Sequence, residues 1–471
     1  MHFPKAVRLA LSAASLLVLA ACAVPRDYVM ALPPQSPSDS FVAANKPAFT
    51  AEQPGGQWWR LYQDPVLDAL VADALASNTD LRIASANLAR ARALLSESRS
   101  ARLPQTQVSA GASYGRADRQ TSESYDVGLE VAYELDLFGR VSRSIDAARQ
   151  DAAAAEAARD AMRVAVAAET ARAYADASAA AERLAVAEHS VALIDRTLNV
   201  TSKRFQAGRG TRLDVARVAA LRDQQRAAVP AIRAERDSAL FRLALLTGRA
   251  PSQLPAEAAA RQTVLRLDQA IPVGDGRALI ARRPDVREAE RRLAAASARV
   301  GVATADLYPR ISLGGSVGAT GPSLGDLFTG GPFRWLLGSL IDWSFPNQQA
   351  SRARIAQAEA GSAAALANFD GVMLNALRET ETALSAYAHE LDRRIALNDA
   401  RTQAEIAARL ARIQLREGKI DSIELLDAER SLAQAEADLA LSDSRVATAQ
   451  VDLFRALGGG WQTEVVAGRE A

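Results

Sequence analysis

The chain has 471 residues and a formal net charge of +1, so there is no global electrostatic case for nucleic-acid binding. Aromatic residues make up only 5%, and the central sequence is rich in Ala, Arg, Glu, Asp and Leu. That composition favours long helices or coiled coils over a sheet-cored enzyme.

At the amino terminus, "MHFPKAVRLALSAASLLVLAAC" carries Lys5 and Arg8 and then an apolar run from Leu9 to Ala21. The run is too short to span a bilayer well, and small residues follow it, so residues 1–21 read as a secretory signal. It ends in Leu19-Ala20-Ala21-Cys22, which resembles the bacterial lipoprotein cleavage box. The resemblance implies a lipidated, palmitate-bearing Cys22, and Ala23 in place of Asp implies sorting to the outer membrane. Cys22 is the only cysteine, so no disulfide forms within one chain. No later apolar run is long enough for a transmembrane helix. Residues 22–57 contain "PPQSPSDS", Pro25, Pro47 and Pro54 and read as an extended arm between lipid and body.

The remainder is one unit written twice. "NTDLRIASANLARARA" from Asn78 matches "RPDVREAERRLAAASA" from Arg283, and Pro104 matches Pro309, all at an offset of 205. "FQAGRGTRLDVARVAAL" matches "LREGKIDSIELLDAERS" with Gly208 on Gly418, at an offset of 210. The first copy, 58–247, predicts a helix at 65–102, strands at 106–117 and 124–137, a long helix at 140–205 and a returning helix at 212–247. Residues 248–275 connect the copies. The second copy, 276–457, predicts a helix at 277–307, strands at 310–319 and 333–345, a long helix at 348–415 and a returning helix at 422–457, before a tail at 458–471.

All four strands alternate in character. In "YDVGLEVAYELDLFGR", Tyr125, Val127, Leu129, Val131, Tyr133, Leu135 and Leu137 lie on one face. Asp126, Glu130, Glu134 and Asp136 lie on the other, which suits a water-filled lumen. A tilted transmembrane strand needs about 9–11 residues, so these strands can cross a bilayer. Tyr125, Tyr133, Trp335 and Trp343 recur where the two interfaces would fall. Four strands cannot close a barrel, and an open edge in lipid costs several kcal/mol per unpaired group. Other copies must therefore complete the sheet. Two chains give a plugged barrel of about eight strands, whereas three give about twelve strands and room for a channel.

A helix of about 65 residues is roughly 100 Å long. Each copy pairs one such rod with two shorter helices that together match it. Leu184, Val191, Leu198 and Phe205 are spaced by sevens, as are Leu425, Leu432, Leu439, Val446 and Leu453, so the rods read as left-handed coiled coils.

Nothing in the sequence assembles a catalytic, cofactor or metal site. His189 and His389 are isolated, and no phosphate-binding Gly-rich loop is present. Gly314-Gly315-Ser316-Val317-Gly318 has the spacing of a nucleophile elbow but lies in a strand with no nearby His. The competing reading, a periplasmic adaptor lipoprotein, leaves the duplicated hairpin and the four amphipathic strands unexplained.

"WWRLYQDPVLDALVADALASNTDLR", "YELDLFGR", "ARRPDVREAERRLAAASARVGVATADLYPRISLGGSVG" and "LLDAERSLAQAEADL" together resemble the TolC-like, NodT/OprM-type outer-membrane efflux lipoproteins. The resemblance covers nearly all of residues 57–460. It implies a membrane α+β fold: a homotrimer whose twelve-stranded outer-membrane β-barrel continues into an α-helical coiled-coil barrel across the periplasm. Residues 248–275 and 458–471 would contribute to an equatorial belt. It also implies a periplasmic adaptor (membrane fusion protein) and an inner-membrane pump of RND type as partners. The channel would be a passive duct, neither enzyme nor cofactor binder, serving multidrug efflux. By the same resemblance Asp427 and Arg430 are gate residues forming an interhelical latch, with Ile423 as an apolar constriction. Glu429 stands where relatives commonly have Gln. The tips "FQAGRGTRLD" and "LREGKIDSIE" resemble adaptor-docking hairpins, with Gly208, Arg209, Arg212, Gly418, Lys419 and Asp421 as docking residues.

Overall fold

The computed structural model describes residues 41–53, 55–117, 120–327 and 333–459. The expected signal, Cys22 and most of the expected tail lie outside the described residues. In chain order the elements are β1 (Phe49–Thr50), α1 (Pro65–Ser77), α2 (Thr79–Ser100), β2 (Gln105–Ala117), β3 (Gln120–Leu135), α3 (Arg140–Gln206) and α4 (Arg212–Leu246). There follow β4 (Ile271–Pro272), α5 (Gly276–Arg282), α6 (Pro284–Ala305), β5 (Arg310–Gly321), β6 (Phe333–Asp342), α7 (Gln349–Arg416) and α8 (Ser422–Ala456). The described chain divides into two units. One holds 86–157 and 287–371, the other 41–85, 158–286 and 372–459.

The first unit is built on an antiparallel sheet in the order β2-β3-β5-β6. Its register sorts the side chains onto two unlike faces. Asp126 lies opposite Gly111 and Thr320, Glu130 opposite Gln107 and Ser316, and Glu134 opposite Ser312. Gly128, Gly314 and Gly318 share that face. Space there is tight: a Cβ on Gly111 would sit 2.6 Å from the Asp126 carboxylate, and one on Gly318 would sit 2.5 Å from the Val127 carbonyl. The opposite face carries Val127, Leu129, Val131, Val317, Trp335 and Leu337. Trp335 and Leu337 are 72% and 76% exposed, which is a lipid-facing rather than an aqueous pattern. Leu336 and Leu340, which disturb the alternation in the sequence, fall on the polar face opposite Ser316 and Ser312.

Strand ends differ from the sequence reading by up to four residues, and two of them move a singled-out side chain out of the sheet. β3 stops at Leu135, so Asp136 is not a lumen-facing strand residue. Its carboxylate instead accepts from the backbone N–H groups of Val141 and Ser142 at 2.9 and 2.8 Å, satisfying orphan donors at the start of α3. β6 stops at Asp342, so Trp343 leaves the ladder. Its indole N–H donates to the Leu307 carbonyl at 3.1 Å, and its ring stacks on Phe345.

The second unit contains two helical hairpins, α3–α4 and α7–α8. Both turns use the same backbone device. Gly208 and Gly418 adopt φ of +75° and +73°. In each turn the glycine N–H and the next N–H bond back into the ending helix: Gly208 to Phe205 and Arg209 to Arg204, then Gly418 to Leu415 and Lys419 to Gln414. This is the Schellman closure, for which glycine is favoured because it has no Cβ. The next helix begins on a side-chain cap in both cases. Thr211 and Asp214 form a capping box on α4, and Asp421 accepts from Ile423 and Glu424 on α8. Hydrogen bonds from the Thr211 hydroxyl and then its backbone N–H hold the Asp214 carboxyl below its ordinary value.

The helices expected at 65–102 and 277–307 are each two helices. Asn78 breaks the first by capping α2, accepting from Asp80 and Leu81, while its amide donates to the Leu246 carbonyl at 3.1 Å. Arg283 breaks the second before Pro284, and its guanidinium donates to the Ala456 carbonyl at 2.9 Å. Both residues therefore bond the end of a returning helix, in each copy of the repeat.

The core of this unit gathers Leu243, Leu265, Ile271, Leu279, Leu384, Leu453 and Leu457 around Trp58, which stacks on Phe454 at 4.7 Å and 9°. The buried Gln450 side chain bonds the backbone of Leu267 in both directions, at 3.0 and 2.8 Å. The arm predicted to lack regular structure is strapped onto this core over residues 41–50. Phe41 is buried, β1 pairs in parallel with β4, and the Glu381 carboxylate accepts from Val42 and Ala43 at 2.7 and 3.0 Å.

Trp58→Ala should destabilise this unit by about 3–5 kcal/mol, read as a lowered thermal midpoint by circular dichroism. Thr211→Ala should cost about 1 kcal/mol locally, giving roughly fivefold faster amide exchange in the first turn of α4 at neutral pH. Because the folded Asp214 pKa is depressed, the box stabilises above the ordinary carboxyl value of 3.8. The difference between variant and parent should therefore shrink as pH falls below 3.8 through the folded value.

Candidate gating and docking site at the helix tips

The tips combine two hairpins of like backbone and unlike side chains. Along α3–α4, Arg183–Glu235 and Glu188–Arg233 close at 2.6 Å each. These are largely exposed pairs of about 0–1 kcal/mol. The apolar seam fixes the hairpins to each other within the unit. Leu426 packs on Ile194, Val218 and Leu221 of the first hairpin, whereas its neighbour Leu425 packs on Ala411 and Leu415 of α7. Arg204 adds a polar tie, donating to the Leu415 carbonyl at 3.4 Å.

Within one chain, Asp427 and Arg430 do not join two helices. They lie one turn apart on α8, approach only to 4.0 Å and both point outward, because an i,i+3 spacing puts them on one exposed face. Ile423 is exposed on the same helix. Near the turn, α7 and α8 are joined by Arg412 with Glu429, fork to fork at 2.6 and 2.8 Å. The Glu429 side chain is 3% exposed. The bond to Glu429 holds the Arg412 guanidinium above its ordinary value against the opposing effect of burial. Sequence reasoning noted Glu429 but missed its partner. Arg412 lies six residues before Gly418 and Glu429 eleven after it, and opposite charges on the two arms of one hairpin are the signal that finds such pairs.

Of the expected docking residues, Gly208 and Gly418 make the turns. Arg209 and Arg212 are exposed on the first tip. Lys419 is exposed but paired with Glu417 at 2.6 Å, and Asp421 is engaged as a helix cap. On the sheet, Glu134 is joined to Arg140, while Asp126 and Glu130 stand on the polar face. Among the described residues no group of three or more His, Cys, Asp or Glu could hold a metal, and no helix is long and apolar enough to cross a membrane.

The profile of the outer membrane efflux protein family matches residues 70–249 and 277–459, one stretch in each copy of the repeat. The outer membrane protein OprJ of Pseudomonas aeruginosa is 33% identical over 456 residues, covering 94% of each chain. The pyoverdine export outer membrane protein OpmQ of Pseudomonas putida is 30% identical over 464 residues, covering 95% of this chain and 96% of its own. Among solved structures, the outer-membrane channel OprN superposes with a TM-score of 0.87 at 36% identity, covering 93% of this chain and all of that one. The open-state MtrE outer membrane channel of Neisseria gonorrhoeae gives a TM-score of 0.83 at 29% identity, covering 94% and 99%. The adaptor alternative is thereby set aside. With its two-faced sheet, its duplicated hairpins and these matches along nearly its whole length, the chain belongs to the outer membrane efflux protein family and is an outer-membrane efflux channel.

Proposed function

We propose that three copies of this chain pool their sheets into one barrel of about twelve strands and serve as the passive exit duct of a tripartite efflux system. A periplasmic adaptor docks on the helix tips, and an inner-membrane pump, of RND type, supplies the energy. The duct itself catalyses nothing. Cys22 carries the lipid anchor, as the name of SilC from Salmonella typhimurium, a probable outer membrane lipoprotein 28% identical, supports for that relative. The observation that carries the reading is the sheet: one exposed apolar face, one face of acids, serines and glycines, and an outer edge on each of β2 and β6.

Asp126, Glu130 and Glu134 face the lumen. The gate lies at the outward surface of α8, where Ile423, Asp427 and Arg430 project away from their own hairpin. Asp427 and Arg430 are free to meet another copy, because their mutual contact is long and solvated. The Arg412–Glu429 pair, by contrast, stiffens the hairpin that carries them.

In detergent, light scattering after gel filtration should give a protein mass near three times that of the 50.0 kDa chain. A monomer in lipid-like surroundings would remove the shared barrel. Asp427→Ala combined with Arg430→Ala should raise single-channel conductance in planar bilayers by about twofold or more, and an unchanged conductance would remove the gate assignment. Glu429→Ala should loosen the α7–α8 tip by about 1–2 kcal/mol, discounted because Arg412 is partly solvated. The readout is faster amide exchange confined to residues near the turn.

A further inference from the structure

Resting on the docking role of the tips, we propose that the two tips of each chain are unlike sites, and that the first-repeat tip is the one that takes an acidic, amphipathic helical segment of the adaptor. The backbones of the two turns are alike: both close on a left-handed glycine and both open the next helix on a side-chain cap. Their charges differ. Residues 199–217 hold five basic side chains and a single acid, Asp214, whereas the matching residues 409–427 hold four of each.

The structure shows how these charges are engaged. Asp214 is occupied by its own capping box, accepting from the Thr211 backbone and hydroxyl at 2.9 and 2.7 Å. Lys203, Arg209, Arg212 and Arg217 are all exposed; among the described residues none closes an ion pair within 4.0 Å, although the Asp214 carboxylate feels the charge of Arg217. At the second tip Lys419 is paired with Glu417, Arg412 with Glu429, and Glu424 and Asp427 offset the remaining cations. The first tip thus presents a rim with four net positive charges, and the second presents none.

Apolar anchors sit inside that rim. Phe205 ends the seven-residue series Leu184, Val191 and Leu198 and is 39% exposed, and Leu213 across the turn is 57% exposed. An apolar centre ringed by charge of one sign is the arrangement that fixes a partner by burial and selects it by complementary potential. A helix with leucines on one stripe and acids beside it matches both features. A mere polyanion matches only the rim.

The test uses the full-length channel in detergent and three fluorescent probes. They are a synthetic helical hairpin with a Leu core and Glu rim, its Lys-rimmed twin, and an unstructured polyglutamate of equal charge. The Glu hairpin should bind about tenfold or more tighter than either control and weaken as salt rises. R209E/R212E and F205A/L213A, checked for native circular dichroism, should each lose about tenfold in affinity, and R416E beside the second tip less than about twofold. Equal binding of the Glu and Lys hairpins, equal binding of polyglutamate, or an equal loss with R416E overturns the proposal. Benzoylphenylalanine placed at position 205 or 423 separates the two levels of inference. Cross-linking to the Glu hairpin from 205 supports the assignment. Cross-linking from 423 alone leaves docking intact but overturns the choice of tip, and cross-linking from neither overturns both.

Discussion

An unpaired backbone N–H or C=O group cannot be left in hydrocarbon, and that constraint governs this chain. A water-exposed sheet tolerates open edges, but in a bilayer each orphaned group costs several kcal/mol. The four strands β2-β3-β5-β6 satisfy one another internally and leave an outer edge at each end of the order. Their apolar face excludes burial against water, and their acidic and glycine-rich face excludes burial against lipid. Closure with further copies resolves both demands at once, since it pairs the edges and turns the polar face inward. Assembly is then a condition of insertion rather than an addition to it.

The helix ends follow the same accounting in water. A helix leaves four donors and four acceptors unmet at its ends, and nearly every break in this chain is located by what meets them. Asp136 ends β3 because α3 needs its carboxylate. Asn78 and Arg283 divide what the sequence presents as continuous helices because each bonds the terminal carbonyls of a returning helix about 170 residues away.

This explains which parts of the fold were legible in the sequence. Strand alternation, heptad spacing and the turn glycines are local signals, and the strands and long helices they imply are present with ends shifted by a few residues. Breaks that depend on a distant carbonyl leave no local trace, so α1–α2 and α5–α6 were read as single helices. The strap at residues 41–50 was hidden for the same reason: prolines mark the segment as irregular, but Glu381, which accepts from its backbone, lies over 300 residues away. At the tips, the family resemblance points to Asp427 and Arg430 as a latch. Only geometry separates that solvated contact from the fork of half-buried Arg412 on buried Glu429.

The duplication shows how such a molecule can acquire a new partner without a new fold. Backbone closure at the two turns rests on glycines at positive φ and on capping carboxylates, and losing either costs on the order of 1 kcal/mol at one place. Those features are shared by both copies. The charges displayed around them differ, because an exposed Arg or Glu contributes only about 0–1 kcal/mol to folding. Its effect on a partner is larger, since complementary potential steers encounter and penalises like charge. Stability therefore constrains the turn and leaves its rim open to change. Two tips with one backbone and two charge patterns are what that separation of constraints produces.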